Sequence, residues 1–241
     1  MKNIFFTAAF MLLFSSCGSN EGNKDGLFGE IPRIFTNEIK GISAEVKSIQ
    51  EKADNESNKA KALEIAMQAL GLYEGAIQEA TTKSAPIAES MQGKNVNNTV
   101  SENVPYKVES FNVSKVFLPK FDLKGMSDFI LRSDVKFVLT DTIKDRNLIA
   151  YYAISNGSED FYCGRMVVSH PRIVILNTNP IMLPGDTLTT EYDLKTPDIP
   201  LDLLEECNTI RFLDKQEYET VKSTVDAKAD QWKTEAKKDW E

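Results

Sequence analysis

Chemistry at neutral pH asks for a histidine, a thiol or converging carboxylates. The 241-residue chain holds one histidine, His170, three cysteines, Cys17, Cys163 and Cys207, and 36 acidic residues. A serine or cysteine nucleophile needs a base beside it. His170 is followed by Pro171, which biases it to extended backbone, and no motif pairs it with a nucleophile. No Gly-x-Ser-x-Gly elbow surrounds any serine, and phosphate loops, zinc spacings and the twelve-residue calcium loop are absent from the sequence. Asn156-Gly-Ser-Glu-Asp160 offers oxygens to a cation, yet its Asn-Gly pair has a turn to make, so neither metal nor cofactor is expected. The reading is of a non-enzyme. The alternative is a hydrolase working through unmarked carboxylates in a cleft between domains, for which the sequence shows no diagnostic spacing.

Two other features could carry function. Cys163 and Cys207 could form a disulfide closing a loop of about 44 residues, worth roughly 3 to 4 kcal/mol on the chain-entropy model, or stand as two buried thiols; the sequence leaves both open. Tyr151 and Tyr162 flank an expected hairpin and would share one face of it, forming a flat aromatic patch for a sugar or protein partner.

The elements that must position these residues change period along the chain. Phe35, Ile39, Ile42, Val46 and Ile49 step by four and three, the stripe of an amphipathic helix; Leu63, Ala66, Leu70, Tyr73, Ile77 and Ala80 form a second after a polar break at 54–58. An antiparallel helical hairpin over 33–92 is expected, with Pro86 ending or kinking its second arm. The Asn- and Ser-rich stretch 92–105 reads as a domain boundary. Period 2 then takes over in 105–213, with strands expected at 106–116, 135–140, 147–155, 158–168, 172–176, 187–194 and 209–213. Asn156-Gly157 predicts a two-residue turn that sets Tyr152 opposite Phe161 and Ala150 opposite Cys163. Residues 197–206 read as a short helical crossover. Asp214 and Glu217 form a capping box for a last helix over 214–241, striped by Tyr218, Val221, Val225, Ala229, Trp232, Ala236 and Trp240. Such a stripe must be buried, and the expected partner is the N-terminal hairpin. The fold class is therefore α+β: a small bundle of hairpin and C-terminal helix, with an antiparallel β-sandwich inserted between them.

The first seventeen residues set the address. Lys2 precedes an apolar run, Ile4 to Phe14, too short to span a bilayer, and two small residues stand before Cys17. Leu13-Phe14-Ser15-Ser16-Cys17 resembles the lipobox of bacterial lipoproteins, with Phe14 where the motif most often has Leu. The resemblance implies removal of residues 1–16 and acylation of Cys17 with diacylglycerol and usually a further acyl chain. Residues 17–32 would then be a polar tether. Glu21 with Lys24-Asp25 resembles the acidic surface signal of some Bacteroidota lipoproteins, and the Leu183-Pro-Gly-Asp186 turn is similar to those of small immunoglobulin-like extracytoplasmic modules. Asp141-Thr142-Ile143 and Asp186-Thr187-Leu188 resemble Bacteroidota acceptors for O-glycosylation, marking Thr142 and Thr187. The expected place is the cell envelope, lipid-anchored at the outer membrane on either its periplasmic or its surface face, with an envelope protein or glycan as partner. A formal net charge of -8 offers no basic stripe for nucleic acid or an anionic membrane, so attachment to the bilayer falls to the acyl chains.

Overall fold

The apolar stripes do form helices. In the computed structural model, which describes residues 26–122, 125–169, 181–196 and 199–238, helix α1 spans Ile31–Asn55 and α2 spans Lys59–Ser90. Between them the Asn58 side chain caps α2, accepting from the backbone N–H of Ala60 at 3.0 Å and Lys61 at 3.4 Å. Replacing Asn58 with Ala strips that cap and is expected to cost about 1 kcal/mol in urea unfolding, with no change in slope. Helices α1 and α2 lie against each other, and Lys83 reaches Glu38 at 2.7 Å. Pro86 does not end α2, which continues to Ser90. The stripe of α2 holds from Ala69 onward, where Tyr73, Ile77 and Ala80 are buried, whereas Leu63 is exposed.

Two mostly antiparallel sheets follow, making the chain α+β. The first is β2 (Tyr106–Phe117), β5 (Ile130–Leu139) and β8 (Thr187–Lys195), ordered β2-β5-β8. The second is β1 (Asn98–Val100), β9 (Thr209–Leu213), β6 (Asn147–Ser155) and β7 (Asp160–Ser169), ordered β1-β9-β6-β7 with β1 parallel to β9. A two-stranded ribbon joins β3 (Phe121–Asp122) to β4 (Gly125–Met126). Aromatic rings join the sheets: Phe212 of β9 meets Phe137 of β5 edge-on at 5.7 Å and Tyr106 of β2 at 6.1 Å. The Tyr192 hydroxyl of β8 donates to the Arg165 carbonyl of β7 at 3.1 Å, which leaves Tyr152 of β6 to donate to Tyr192 at 3.2 Å. Burial raises the pKa of Tyr152, so its proton stays in place for that bond.

The expected boundary at 92–105 is part of the sheets instead. Val96 is buried and its N–H bonds to Phe111, Gly93 bonds to Val113, and β1 pairs with β9. Polar residues conceal this strand because its ladder, and not a buried face, fixes it.

The last helix also departs from expectation. The crossover helix α3 (Leu201–Glu206) packs on α1, but α4 (Lys215–Lys238) does not join the N-terminal helices. It lies across β7, β6 and β9, with Tyr218 on Tyr151 at 4.6 Å and Trp232 near Phe161 at 6.4 Å. An amphipathic stripe demands a partner without naming it, and the apolar outer side of β6 and β7 is the partner that β9 delivers it to. The capping box is formed: Asp214 accepts from Gln216 at 2.8 Å and Glu217 at 2.9 Å, and the Glu217 carboxylate accepts from Asp214 at 3.1 Å. The backbone N–H of Glu217 holds the Asp214 carboxyl below the usual carboxylate range, so this contribution is present above that range and is lost as pH falls below it, through the lowered pKa of the folded state.

Candidate functional site

Strand β2 carries a bulge at Ser114 that decides which of its later side chains turn outward. Phe111 and Val113 face the core; strict alternation would send Lys115 after them. The extra residue shifts the register between Val113 and Lys115, so Val116 is buried and Lys115 exposed. Phe117 is then half-buried with two cations over its ring, Lys115 at 4.9 Å and Arg132 at 4.8 Å. Arg132 is fixed by a two-pronged pair with Asp193 at 2.6 and 2.9 Å, which in turn holds the Asp193 carboxyl below its ordinary pKa.

Beyond Phe117 the chain runs beside α2, and a groove of about 950 Å³ lies between them. One wall is α2, with Glu74, Gln78, Thr81, Thr82 and Glu89, continued by Gln92 in the turn after it; the other runs from Lys115 through Phe117, Leu118 and Pro119 to Lys120 and Phe121. The ends are tied: Thr81 donates to the Pro119 carbonyl at 3.4 Å, Tyr73 stacks near Phe121 at 6.4 Å, and Gly93 bonds to Val113. The walls therefore run in opposite senses, Glu89 at the Lys115 end and Glu74 at the Phe121 end. Among the described residues, none of Glu74, Glu89, Lys115 and Lys120 makes an ion pair, although nine other pairs are present. Pro86, inside α2, has no N–H to give the carbonyl of Thr82. Glu74 and Glu89 stand about 22 Å apart along the helix, well beyond the roughly 5 to 9.5 Å that two-carboxylate hydrolysis uses.

The structure separates the residues singled out in the sequence. The hairpin turn has four residues, 156–159, not two: the Asn156 side chain accepts from Ser158 N at 3.0 Å and Glu159 N at 2.8 Å, and Ser155 pairs with Asp160. Phe161 is the bulged residue, Ile154 pairs with Tyr162, and Tyr152 pairs with Gly164 in place of Phe161. An odd shift in register moves side chains to the other face. Tyr162 therefore joins Tyr152 on the inner side, while Tyr151 lies outside under Tyr218, and the proposed Tyr151–Tyr162 patch does not exist as one surface.

Cys163, opposite Ala153 and not Ala150, faces α4 with Tyr218 and Val221; Cys207 is fully buried at the end of α3, donating to the Leu203 carbonyl. Both are free, so the disulfide reading is set aside. Burial pushes each thiol up to about 12. At pH 8 far fewer molecules would carry either thiolate than the roughly a quarter expected of an ordinary thiol. Native protein is expected to react with a disulfide reagent at least a hundredfold more slowly at these two positions than denatured protein, followed by absorbance; equal rates would contradict the burial.

Thr142 and Thr187 are both exposed and share one end of the sheets, where β5 finishes and β8 begins, with Val138 pairing Thr187 and Ile143 bridging Met182. The helices α1 and α2 occupy the other end, where Phe28 and Phe35 meet Phe129. Cys17 and His170 lie outside the described residues, as does the expected strand 172–176. Among the described residues no three His, Cys, Asp or Glu side chains gather as a metal site, and no helix is long and apolar enough to cross a membrane. No family model, curated protein or solved structure matches the chain. The groove escaped the sequence because its walls lie some forty residues apart; the one local sign was Lys115 interrupting the alternation of β2.

Proposed function

We propose that this protein is a lipid-anchored lipoprotein of the bacterial envelope that acts as a non-catalytic binding or assembly module, with the groove between α2 and the β2–β3 segment as its binding site. The lipobox-like residues before Cys17 support the anchor. The observation that carries the binding reading is the set of four charges lining one groove that, among the described residues, make no ion pair. In this reading the two facing sheets form an immunoglobulin-like sandwich, α1 and α2 a helical hairpin docked at the end nearest the anchored N-terminus, and Thr142 and Thr187 acceptors for O-linked sugar at the far end. Glycan at that end would leave the groove uncovered.

Two measurements test this. Intact mass of the protein from its own membranes should show loss of residues 1–16 and added acyl chains, and protease treatment of intact against permeabilised cells reads which side it faces; an unacylated mass overturns the anchor. A photo-cross-linking residue at Thr82, in the groove, should give a light-dependent adduct in cells that the same residue at exposed Lys107 does not. Equal labelling at both positions, or none at Thr82, would overturn the groove as the binding site.

A further inference from the structure

We infer that the groove takes an extended peptide of about seven residues in which basic and acidic side chains alternate. The inference rests on the groove being the binding site and adds the ligand's chemistry. Its length comes from the helical wall: Glu74 and Glu89 mark a span of about 22 Å, which an extended chain covers in about seven residues at 3.3 Å each. Its charge pattern comes from the opposition of the walls. Among the described residues, both groove carboxylates without an ion pair belong to α2 and both ammonium groups without one to the β2–β3 side, one of each near either end. Successive side chains of an extended chain point to opposite sides, so a peptide lying along the groove sends alternate residues to the helix and to the strand wall. Lysine or arginine at every second position meets Glu74 and Glu89, and the acidic residues between them meet Lys115 and Lys120.

The floor fits the same ligand. Phe117, Leu118, Pro119 and Phe121 are half-buried or buried apolar contacts for a backbone and its stems. Gln78 and Gln92 each offer donors and acceptors. A peptide backbone supplies both the N–H and the C=O that these amides pair with; a ligand carrying only carboxylates would meet the helical wall with like charge.

The test uses the full chain in detergent and a fluorescent, end-blocked heptapeptide of alternating lysine and glutamate, followed by anisotropy. Its control has the same composition with the lysines in one block and the glutamates in the other. The alternating peptide should bind saturably and about tenfold more tightly than the block isomer, and Glu74→Gln/Glu89→Gln or Lys115→Gln/Lys120→Gln should each weaken it about tenfold. Reversing one wall, with Glu74→Lys/Glu89→Lys, should abolish this preference; reversing both, with Lys115→Glu/Lys120→Glu added, should restore it, because the peptide turns over. All four side chains are exposed, so folding, checked by circular dichroism, should be kept. Equal binding of the two isomers, no binding up to millimolar peptide, or indifference to the wall variants would overturn the inference. A persisting cross-link at Thr82 with failed peptide binding would keep the groove as a site for a different ligand class; loss of both would remove the groove itself.

Discussion

Replacing Phe212 with Ala is expected to destabilise the protein by about 3 to 5 kcal/mol, the range for deleting a fully buried aromatic ring. Phe212 is 1% exposed and sits in the middle of the second sheet, pairing with Val100 of β1 on one side and Tyr152 of β6 on the other. Its ring meets three rings of the first sheet: Phe137 and Tyr106 nearly perpendicular and Phe111 tilted at 6.1 Å. Edge-on pairs add about 0.5 to 1.5 kcal/mol beyond the area they bury, and the three partners belong to strands whose ladders stop them from collapsing into the space left behind. At about 2 to 4 °C per kcal/mol for a chain of this size, the melting temperature should fall by roughly 10 °C. Phe212→Leu, which fills most of the volume, should cost less than half as much. A loss under about 1 kcal/mol for the Ala variant in urea titration would mean that the two sheets do not depend on this ring.

That dependence explains which parts of the fold were legible. Helix α1 could be read because its stripe, Phe35 to Ile49, is buried against neighbours along most of its length. Leu63 follows the same spacing on α2 and is exposed, since periodicity reports a face and not what covers it. The same gap hid the destination of α4: Tyr218, Val225 and Trp232 announce a buried stripe, but the surface that receives them, Tyr151, Ala153 and Phe161, comes from strands of alternating pattern that are apolar on both sides. The Asn156 turn shows a third limit. Asn-Gly promises a two-residue loop, yet the Asn156 side chain closes a wider one by accepting two backbone N–H groups, and the resulting bulge at Phe161 moves every later residue of β7 to the opposite face.

The groove follows the same logic at longer range. Its charges are ordinary in sequence; Glu74 and Glu89 belong to the polar side of a helix and Lys115 to a strand. The second of two register shifts in β2, the bulge at Ser114, and the tethers from Thr81 to Pro119 and Tyr73 to Phe121 bring them face to face. Bulges are thus the devices that aim side chains on both sheets, toward the groove in β2 and toward α4 in β7.

Gly164→Ala tests the β7 bulge directly, and its expected cost is about 3 kcal/mol, the upper end for overpacking. The register places Gly164 opposite Tyr152, whose ring lies across it: a β-carbon there would come within 2.4 Å of both Cζ and the hydroxyl oxygen. The ring has nowhere to go. It is 1% exposed, held by its hydroxyl to Tyr192 and flanked by the rings of Tyr192 at 5.9 Å and Tyr162 at 6.3 Å. The contrast with Gly71 removes propensity as an explanation. A β-carbon at Gly71, exposed within α2, meets nothing within 4 Å, so Gly71→Ala should stabilise by about 0.5 to 1 kcal/mol while the same change at 164 destabilises. In a Tyr152→Leu background the obstructing ring is gone, and the cost of Gly164→Ala should fall below about 1 kcal/mol, a coupling that a double-mutant cycle reads directly. Additive effects would place Tyr152 opposite some other residue, and with it would go the four-residue turn, the bulge at Phe161 and the seat of α4.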